Sequence, residues 1–286
     1  MRKIIYYESL SEDFANVNVE TKEVKKNFKF INNNPIWRFF SFVLYYFIAI
    51  PVVFLYSWLI LGLRVHNLKA MRNVRGRGFF LYGNHTNYLD VFIAPLLTFP
   101  HRVYTVASAD AVSIKGLKTI VLMLGGMPVP KDISALGSFT KAVRKRCSDG
   151  NGIVIYPEAK IWPYYNGIRP FPDSSFKYPA DLRVPVIAMF TAYRERKGLL
   201  GALLPPGWDV YLSDPFYPDT TLSPKLMRKD LHSKVYSFMK EHADLSDFEY
   251  VEYRPASMYK EHEDCDYDYE ENKEPEKEEK RAKHVI

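Results

Sequence analysis

The sequence predicts an α/β fold: a mostly parallel central sheet flanked by helices, preceded by a long apolar helical segment. Two observations support this prediction. Strand-like apolar runs alternate with helical patterns from residue 76 to about residue 254, and such alternation is typical of βαβ units with parallel strands. Upstream, the 25 residues 39–63 carry no charge, a length that suffices for one helix to cross a bilayer.

The elements of the layered domain follow from periodicity and from turn residues. Six short apolar runs predict strands, at 79–82, 102–107, 127–130, 153–156, 184–190 and 209–212. Four patterns predict helices, at 90–98, 113–124, 134–147 and 223–242. The last helix places apolar residues at four-residue spacing on one face, namely Met227, Leu231, Val235 and Met239. The third helix ends at the turn signal Asp149-Gly150-Asn151-Gly152.

The apolar segment is divided by Pro51 into two halves of twelve residues. Each half is about 18 Å long as a helix, shorter than the ~30 Å hydrocarbon core of a bilayer. Basic residues flank both ends, Arg38 before and Arg64 after, so the positive-inside preference favours neither side. We therefore expect residues 37–75 to form a helical hairpin with both ends on the cytoplasmic face of a membrane. The alternatives are a single span and a buried helix of a soluble protein.

The net charge of +6 conceals an uneven distribution along the chain. Residues 259–286 contain six Lys and Arg against eleven Asp and Glu, and the rest contains 33 against 22. A basic body suits anionic lipid, nucleic acid or phosphorylated ligands. Since no nucleic-acid motif accompanies the charge and an apolar segment does, the predicted partner is membrane lipid, with no nucleic acid. Residues 255–286 are predicted to be an acidic disordered tail, and residues 1–36 a polar segment without a functional signal.

A histidine and an aspartate follow the first strand of the domain. The strand ends at Gly83-Asn84, His85 comes next, and Asp90 lies five residues later. The two side chains can meet if His85 lies in a turn and Asp90 in the first turn of the next helix, with Thr86 or Asn87 as its N-cap. The carboxylate would then hold one imidazole nitrogen and leave the other free to take a proton from a hydroxyl. The alternative is a surface turn with a capping aspartate.

Three more blocks follow in order, Gly125-Gly126-Met127-Pro128-Val129-Pro130-Lys131, Tyr156-Pro157-Glu158 and Val184-Pro185-Val186-Ile187. With Asn84-His85-x4-Asp90 they resemble the four blocks of the glycerolipid acyltransferases, the PlsC-like 1-acylglycerol-3-phosphate acyltransferase family, over roughly residues 76–215. The resemblance implies an acyltransferase domain over residues 76–254. It also implies acyl transfer from acyl-CoA or acyl-carrier protein to the hydroxyl of a lysophospholipid, with no cofactor, with His85 as the base and Asp90 as its orienter.

The resemblance further implies a set of substrate-binding residues, Asn84, Lys131, Glu158, Lys160 and Arg169. Lys131 stands where relatives have arginine, and its alternative is a solvated lysine at a strand end. The third block departs from the family pattern, because Ala159 replaces a glycine and Ile161 an arginine. Lys160 or Arg169 would then supply the missing charge. Glu158 has the alternative role of tying backbone amides of its loop, and the fourth block is predicted to be a core strand.

Other functions stay open at this stage. The same reaction with another hydroxyl or amino lipid as acceptor is one alternative, suggested by the altered third block. A metal-dependent hydrolase built from His85, Asp90, Asp110 and Glu158 is another, and a catalytically silent membrane-binding module is a third. No metal site is predicted, because no second histidine lies at ligand spacing. We also expect free backbone N–H groups at a helix start near Asn87 to offer an oxyanion site.

Overall fold

The computed structural model of the chain describes residues 3–14, 21, 23–114, 116–246 and 248–257. These residues contain nine strands, β1 (Lys3–Tyr7), β2 (Arg64–His66), β3 (Phe79–Gly83), β4 (Val103–Ala107), β5 (Gly126–Pro128), β6 (Gly152–Ile155), β7 (Val186–Arg194), β8 (Gly207–Leu212) and β9 (Val251–Pro255). Their eight α-helices are α1 (Pro35–Val43), α2 (Ile50–Leu59), α3 (Asp90–Thr98), α4 (Lys118–Met123), α5 (Ile133–Ser148), α6 (Lys177–Leu182), α7 (Gly198–Leu203) and α8 (Pro224–Asp244).

Seven of the strands form one sheet, in the order β2-β8-β7-β3-β6-β4-β5. All neighbouring pairs are parallel except β7 and β8, which run antiparallel. The predicted α/β fold with a mostly parallel sheet is confirmed. The six predicted strands are all present, whereas β1, β2, β9, α6 and α7 were not predicted. The helix predicted over 113–124 begins later, at Lys118, after a 3-10 turn at Ala109–Val112.

Helices cover both faces of this sheet and bury two apolar clusters. On one face α5, α6 and α8 pack against β3, β4, β6 and β7 around Phe139, Ala180 and Leu231. The four predicted apolar positions of α8 are all buried there, Met227, Leu231, Val235 and Met239. On the other face α3 packs Ile93, Ala94 and Leu97 against the sheet. The strands are therefore covered on both sides, as parallel sheets generally are.

The predicted hairpin at residues 37–75 is wrong, because one uninterrupted helix runs from Pro35 to Leu59. Its middle is a π-helical turn at Leu44–Ala49, and the Ile50 N–H donates to the carbonyl of Tyr45, five residues back. Pro51 follows this turn directly. A wider turn of this kind accommodates a proline that lacks an N–H donor, so the chain continues without reversing. We call Pro35–Leu59 the apolar helix.

The apolar helix lies along the domain over its whole length. The Ser41 hydroxyl donates to the carbonyl of Met123 at 2.6 Å, and the Tyr46 hydroxyl to that of Pro100 at 2.9 Å. Just beyond the other end, Arg196 donates to the carbonyl of Ile60 at 2.6 Å. The opposite side of the helix exposes large apolar side chains, among them Phe39, Phe47, Val52, Phe54 and Trp58. The helix therefore has one side on protein and one uncovered apolar side.

The N-terminal segment is part of the folded domain. β1 pairs in parallel with β9, so the chain ends of the described structure meet in a two-stranded sheet. Residues 8–14 continue onto the loop after β6, where the Phe14 N–H donates to the carbonyl of Ile161 at 3.1 Å. A separate polar segment over residues 1–36 was predicted, yet its described part packs on the domain. The predicted disordered tail lies outside the described residues, apart from 255–257.

Candidate active site

The site is built where β3 ends. Asn84 is fully buried, its side-chain oxygen accepts from the Thr191 N–H at 2.8 Å, and its side-chain nitrogen donates to the Thr191 carbonyl at 2.9 Å. This pair of bonds fastens the chain after β3 to β7, so His85 leaves the sheet in a defined direction. Asn84 thus has a structural role in the fold, and its predicted contact with substrate stays a prediction.

His85 and Asp90 meet as the spacing predicts. The Nδ1 atom of His85 lies 3.2 Å from Oδ2 of Asp90, which is within hydrogen-bond range. Asp90 is fully buried in the first turn of α3, while the His85 side chain is 14% exposed. This contact favours the tautomer in which Nδ1–H donates to the carboxylate. The ring can then present Nε2 as an acceptor, the arrangement that a general base requires.

The backbone N–H groups beside His85 are not free, contrary to our expectation of an oxyanion site there. The N–H groups of Thr86 and Asn87 both donate to Oδ2 of Asp90, at 2.7 and 2.8 Å. α3 begins at Asp90 with Leu89 as N-cap, so neither Thr86 nor Asn87 caps it. The carboxylate instead binds the loop that precedes its own helix. An oxyanion site at these two N–H groups is therefore wrong.

Tyr156 is a site residue that sequence reasoning did not single out. Its ring stacks on the imidazole of His85 with centroids 4.6 Å apart, and its hydroxyl donates to the Asp90 carbonyl at 2.7 Å. The space depends on Gly83, because a Cβ there would lie 2.8 Å from the Tyr156 ring. The aromatic residue before Pro157 in the third block was the available signal. Tyr156, which directly follows β6, thereby contacts both His85 and Asp90.

Glu158 and Arg169 form a buried ion pair next to His85. The Arg169 Nε donates to Oε2 of Glu158 at 2.7 Å, and the two side chains are 2% and 1% exposed. Oε1 of Glu158 accepts from the backbone N–H of His85 at 3.4 Å. Burial outweighs the opposing effect of Arg169 and raises the pKa of Glu158 to about 7. Glu158 thus accepts a hydrogen bond from a backbone amide, which is the alternative role that the sequence suggested for it.

Arg169 makes several contacts with the loop after β6. Besides Glu158 it donates to the carbonyls of Lys160 and Leu10, and its guanidinium lies over the Trp162 ring at 5.0 Å. The same loop reaches back to the site, where the Trp162 N–H donates to the His85 carbonyl at 3.3 Å. Because Arg169 is buried, its predicted contact with a substrate phosphate would require this pair to open. That contact stays a prediction.

Lys131 and Lys160 are exposed, and both act electrostatically on the carboxylate of Asp110. Both lower the pKa of Asp110, after the larger effects of hydrogen bonds from Thr21 and Ser108. Lys160 also lies 3.4 Å from Asp13. The binding of substrate by Lys131 and Lys160 stays a prediction.

Asp110 is also one of the four residues of the metal-dependent hydrolase that the sequence left open as an alternative. Within the described ranges, no three His, Cys, Asp or Glu side chains form a group that could hold a metal ion. What the described site does contain is an imidazole oriented by a carboxylate.

Comparison with known proteins agrees with the geometry. Residues 62–191, which contain the His85–Asp90 pair and both partners of the Glu158–Arg169 pair, match the family model described as Acyltransferase. This stretch is an acyltransferase domain. The acyltransferase family and the acyltransferase enzyme class predicted from the motifs are thereby confirmed.

Among solved structures, the acyltransferase domain is similar to the 1-acyl-sn-glycerophosphate (LPA) acyltransferase PlsC from Thermotoga maritima. The identity is 17%, the match covers 72% of this chain and 93% of that chain, and the TM-score is 0.48. No curated protein matches the chain.

Proposed function

We propose that the acyltransferase domain moves a fatty acyl group from an acyl thioester, acyl-CoA or acyl-carrier protein, to the hydroxyl of a lysophospholipid of the 1-acylglycerol-3-phosphate type. The observation that carries this proposal is the 3.2 Å contact between His85 Nδ1 and Asp90 Oδ2. It orients an imidazole whose other nitrogen accepts a proton. The acceptor hydroxyl attacks directly, so the reaction needs no serine or cysteine nucleophile.

The proton balance of the reaction follows from this geometry. Nε2 of His85 takes the proton of the acceptor hydroxyl as its oxygen attacks the thioester carbonyl carbon. The C–S bond then breaks, and the leaving thiolate takes the proton from the imidazolium. Asp90 stabilises the transient imidazolium through Nδ1–H, and Tyr156 keeps the ring in plane with its stacking contact. His85 and Asp90 end the cycle in the state in which they began it.

Two exposed cations favour an acceptor that carries phosphate. Lys131 and Lys160 are both exposed, and both act electrostatically on Asp110. Lysine binds phosphate as a hydrated point charge, without the bidentate geometry of arginine. A phosphate head group would then compete with Asp13 and Asp110 for these ammonium groups. This competition makes the lysines the acceptor-binding residues of the proposal.

Membrane association would occur through the apolar helix, with the helix embedded parallel to the membrane surface in the cytoplasmic leaflet. The helix is attached to the domain at Ser41, Tyr46 and Ile60. A helix held along a folded domain cannot also cross a bilayer unless that domain is immersed. Its uncovered side, with Phe47 and Trp58 about two-thirds exposed, has the aromatic composition that favours the interface. The single span is the alternative arrangement.

The test replaces the two residues of the pair. We expect His85→Ala to lower turnover by about 10²- to 10⁴-fold, the usual contribution of a general base. Asp90→Asn should also lower turnover strongly, because the imidazole loses its orienting charge. The assay follows acyl transfer from acyl-CoA and from acyl-carrier protein to lysophosphatidic acid, with uncharged monoacylglycerol as the second acceptor.

His242→Ala is the matched control, since His242 is a partly buried imidazole on α8, on the face of the sheet opposite α3. It should keep wild-type turnover. Thermal unfolding and vesicle binding of all variants verify that fold and attachment are intact. A His85→Ala enzyme with wild-type turnover would exclude His85 as the base. Loss of turnover on adding a chelator would instead favour the metal-dependent alternative.

A further inference from the structure

A basic cavity of about 380 Å³ opens at the β5 edge of the sheet, beside the start of the apolar helix. Its walls include Tyr104 of β4, Met127 of β5, Arg146 near the end of α5, and Trp37 of α1. Strand registers place Tyr104 three residues below the level of Gly83 and two strands away. The Cα of Tyr104 is therefore about 14 Å from that of Gly83, and neither His85 nor Asp90 lines the cavity.

The cavity walls carry positive charge without compensation. Lys29, Lys118 and Arg146 line it, and none of its lining residues is acidic. Arg146 and Arg102 both place their guanidinium over the Tyr104 ring, at 4.2 and 5.3 Å from its centroid. Two cations on one ring repel each other, and the ring quadrupole offsets only part of that repulsion. An anion in the cavity would relieve it.

One N–H donor of the Arg146 guanidinium is buried and has no hydrogen-bond partner within the described part of the chain. Its Nε is buried without a partner in the described residues, and so is the Nε of Arg102. Burial lowers the pKa of Arg146, while Asp149 acts in the opposite direction. Asp149 is itself bound by the ammonium of Lys145. A buried unpaired donor is costly, and an acceptor with several oxygens and negative charge would satisfy both needs.

We propose that this cavity binds the phosphate group of an anionic membrane phospholipid, at a site separate from His85. Phosphate supplies the charge for Lys29, Lys118 and Arg146 and several acceptor oxygens for their N–H groups. The neighbouring surface indicates a lipid as its source. Trp37 lines the cavity, and the adjoining Ile36, Phe39 and Phe40 are more than half exposed.

A lipid phosphate in the cavity would therefore leave its acyl chains on apolar surface. The charged cavity and the uncovered side of the apolar helix would contact the same leaflet. A bound lipid would thereby fix how the domain is oriented on the membrane. A free phosphate ion would use only the charged half of this surface.

The test measures vesicle binding of the full chain and its Lys29→Gln/Lys118→Gln double variant. Both lysines are exposed and make no ion pair within the described part of the chain, and Lys118 has only a cation–π contact with Phe28 at 5.4 Å. Thermal unfolding of the double variant verifies that its fold is intact. Vesicles of phosphatidylcholine alone are compared with vesicles containing phosphatidic acid. Each basic residue contributes about fivefold near an anionic surface. We expect the double variant to bind phosphatidic acid vesicles about 25-fold more weakly, with unchanged binding to phosphatidylcholine.

Lys225→Gln/Lys229→Gln is the matched control, since it removes the same charge from exposed positions of α8. A second arm titrates inorganic phosphate into the full chain and into the Lys29→Gln/Lys118→Gln variant and measures the heat of binding. Equal loss of vesicle binding in both double variants would overturn the proposal, because the effect would then be general charge. Loss of phosphate binding with intact vesicle binding would also overturn it, in favour of a free anion. Vesicle binding does not depend on turnover, so His85→Ala separates this result from the proposed function.

Discussion

Asp90 organises the candidate active site at the scale of single residues. One of its oxygens, Oδ2, accepts from the His85 ring and from the N–H groups of Thr86 and Asn87. Three donors on one oxygen hold the loop around the carboxylate. The site therefore loses both orientation and local backbone structure when this side chain changes. The His85 ring makes one hydrogen bond among the described residues, to Asp90, which leaves its other nitrogen for the proton transfer that we propose.

Ala159 illustrates a local conflict between sequence and backbone. Its φ is +64°, a left-handed conformation that costs an L-residue roughly 1–2 kcal/mol. Glycine would remove this strain but lose about 0.5–1 kcal/mol of backbone entropy. We expect Ala159→Gly to raise the free energy of unfolding by up to about 1 kcal/mol, measured by denaturant unfolding. The control Ala243→Gly, within α8, should lower it; a loss of stability in both variants would contradict the role of strain.

The Glu158 carboxyl predicts a pH dependence of stability. Its pKa is about 7 in the folded protein and 4.5 in the unfolded chain, so between these values the folded state holds a proton that the unfolded state has released. Its contribution to stability is complete below pH 4.5 and is lost as the pH rises through 7. From pH 5 to 8 the loss is on the order of 2 to 3 kcal/mol.

We expect Glu158→Gln to abolish this part of the pH slope, measured by denaturant unfolding at pH 5 and 8. The control Glu241→Gln, an exposed residue of α8, should keep the wild-type slope. If Glu158→Gln keeps the same slope as the wild type, a different group causes it. Activity measurements are not needed for this comparison.

At the scale of elements, the N-terminal segment braces the loop after β6. Trp162 stacks on Tyr253 of β9 with centroids 4.7 Å apart and donates to the carbonyl of Glu12 at 2.9 Å. The Ile161 N–H donates to Asp13 at 3.2 Å. β1, β9 and this loop thus pack as one unit, and the loop in turn contacts His85. The N-terminal segment, whose sequence carries no functional motif, thus contacts the loop that in turn contacts His85.

We expect removal of residues 1–14 to loosen this loop. Amide hydrogen exchange over residues 158–169 should become at least tenfold faster, because the backbone bonds to Asp13 and Phe14 are lost. Turnover should fall as Glu158 loses its fixed position. The control truncation after Ser257 leaves every bond described here in place and should leave exchange unchanged. Wild-type exchange in the N-terminal deletion would show that the loop is held by Arg169 alone.

At the scale of the whole molecule, basic charge and uncovered apolar surface occur on the same domain, as the proposed membrane association requires. The chain without its last 28 residues has 33 basic and 22 acidic residues. The apolar helix leaves one side uncovered, and the described residues place a basic cavity at its start. Apolar insertion and attraction to anionic lipid add together. The domain would then dock in one orientation.

Single exposed side chains of the apolar helix test this arrangement. Phe47 and Trp58 are 66% and 65% exposed, and burying such a side chain in lipid contributes roughly 1.5–3 kcal/mol. We expect Phe47→Ser and Trp58→Ser each to weaken binding to phosphatidylcholine vesicles by about tenfold or more, in a flotation assay. Leu226→Ser on α8, also exposed, should have little effect. An equal effect of all three variants would argue against a specific membrane-facing side.

Features that depend on short distances along the chain were predictable from the amino-acid pattern. Alternating patterns predicted the strands and most helices, because burial on a sheet or on a helix face imposes its period directly. The meeting of His85 and Asp90 was predictable for the same reason, since five residues with a turn between them leave few arrangements. α8 shows the same rule, with four buried positions at helical spacing.

Features that join distant parts of the chain became visible only in the folded structure. Tyr156 reaches His85, Glu158 pairs with Arg169, and β1 pairs with β9 through contacts that no local period encodes. Pro51 predicted a break, yet a π-helical turn and packing on the domain kept the apolar helix continuous. The cost of a proline inside a helix is about 3 kcal/mol. The contacts of a 25-residue helix with the domain outweigh that cost.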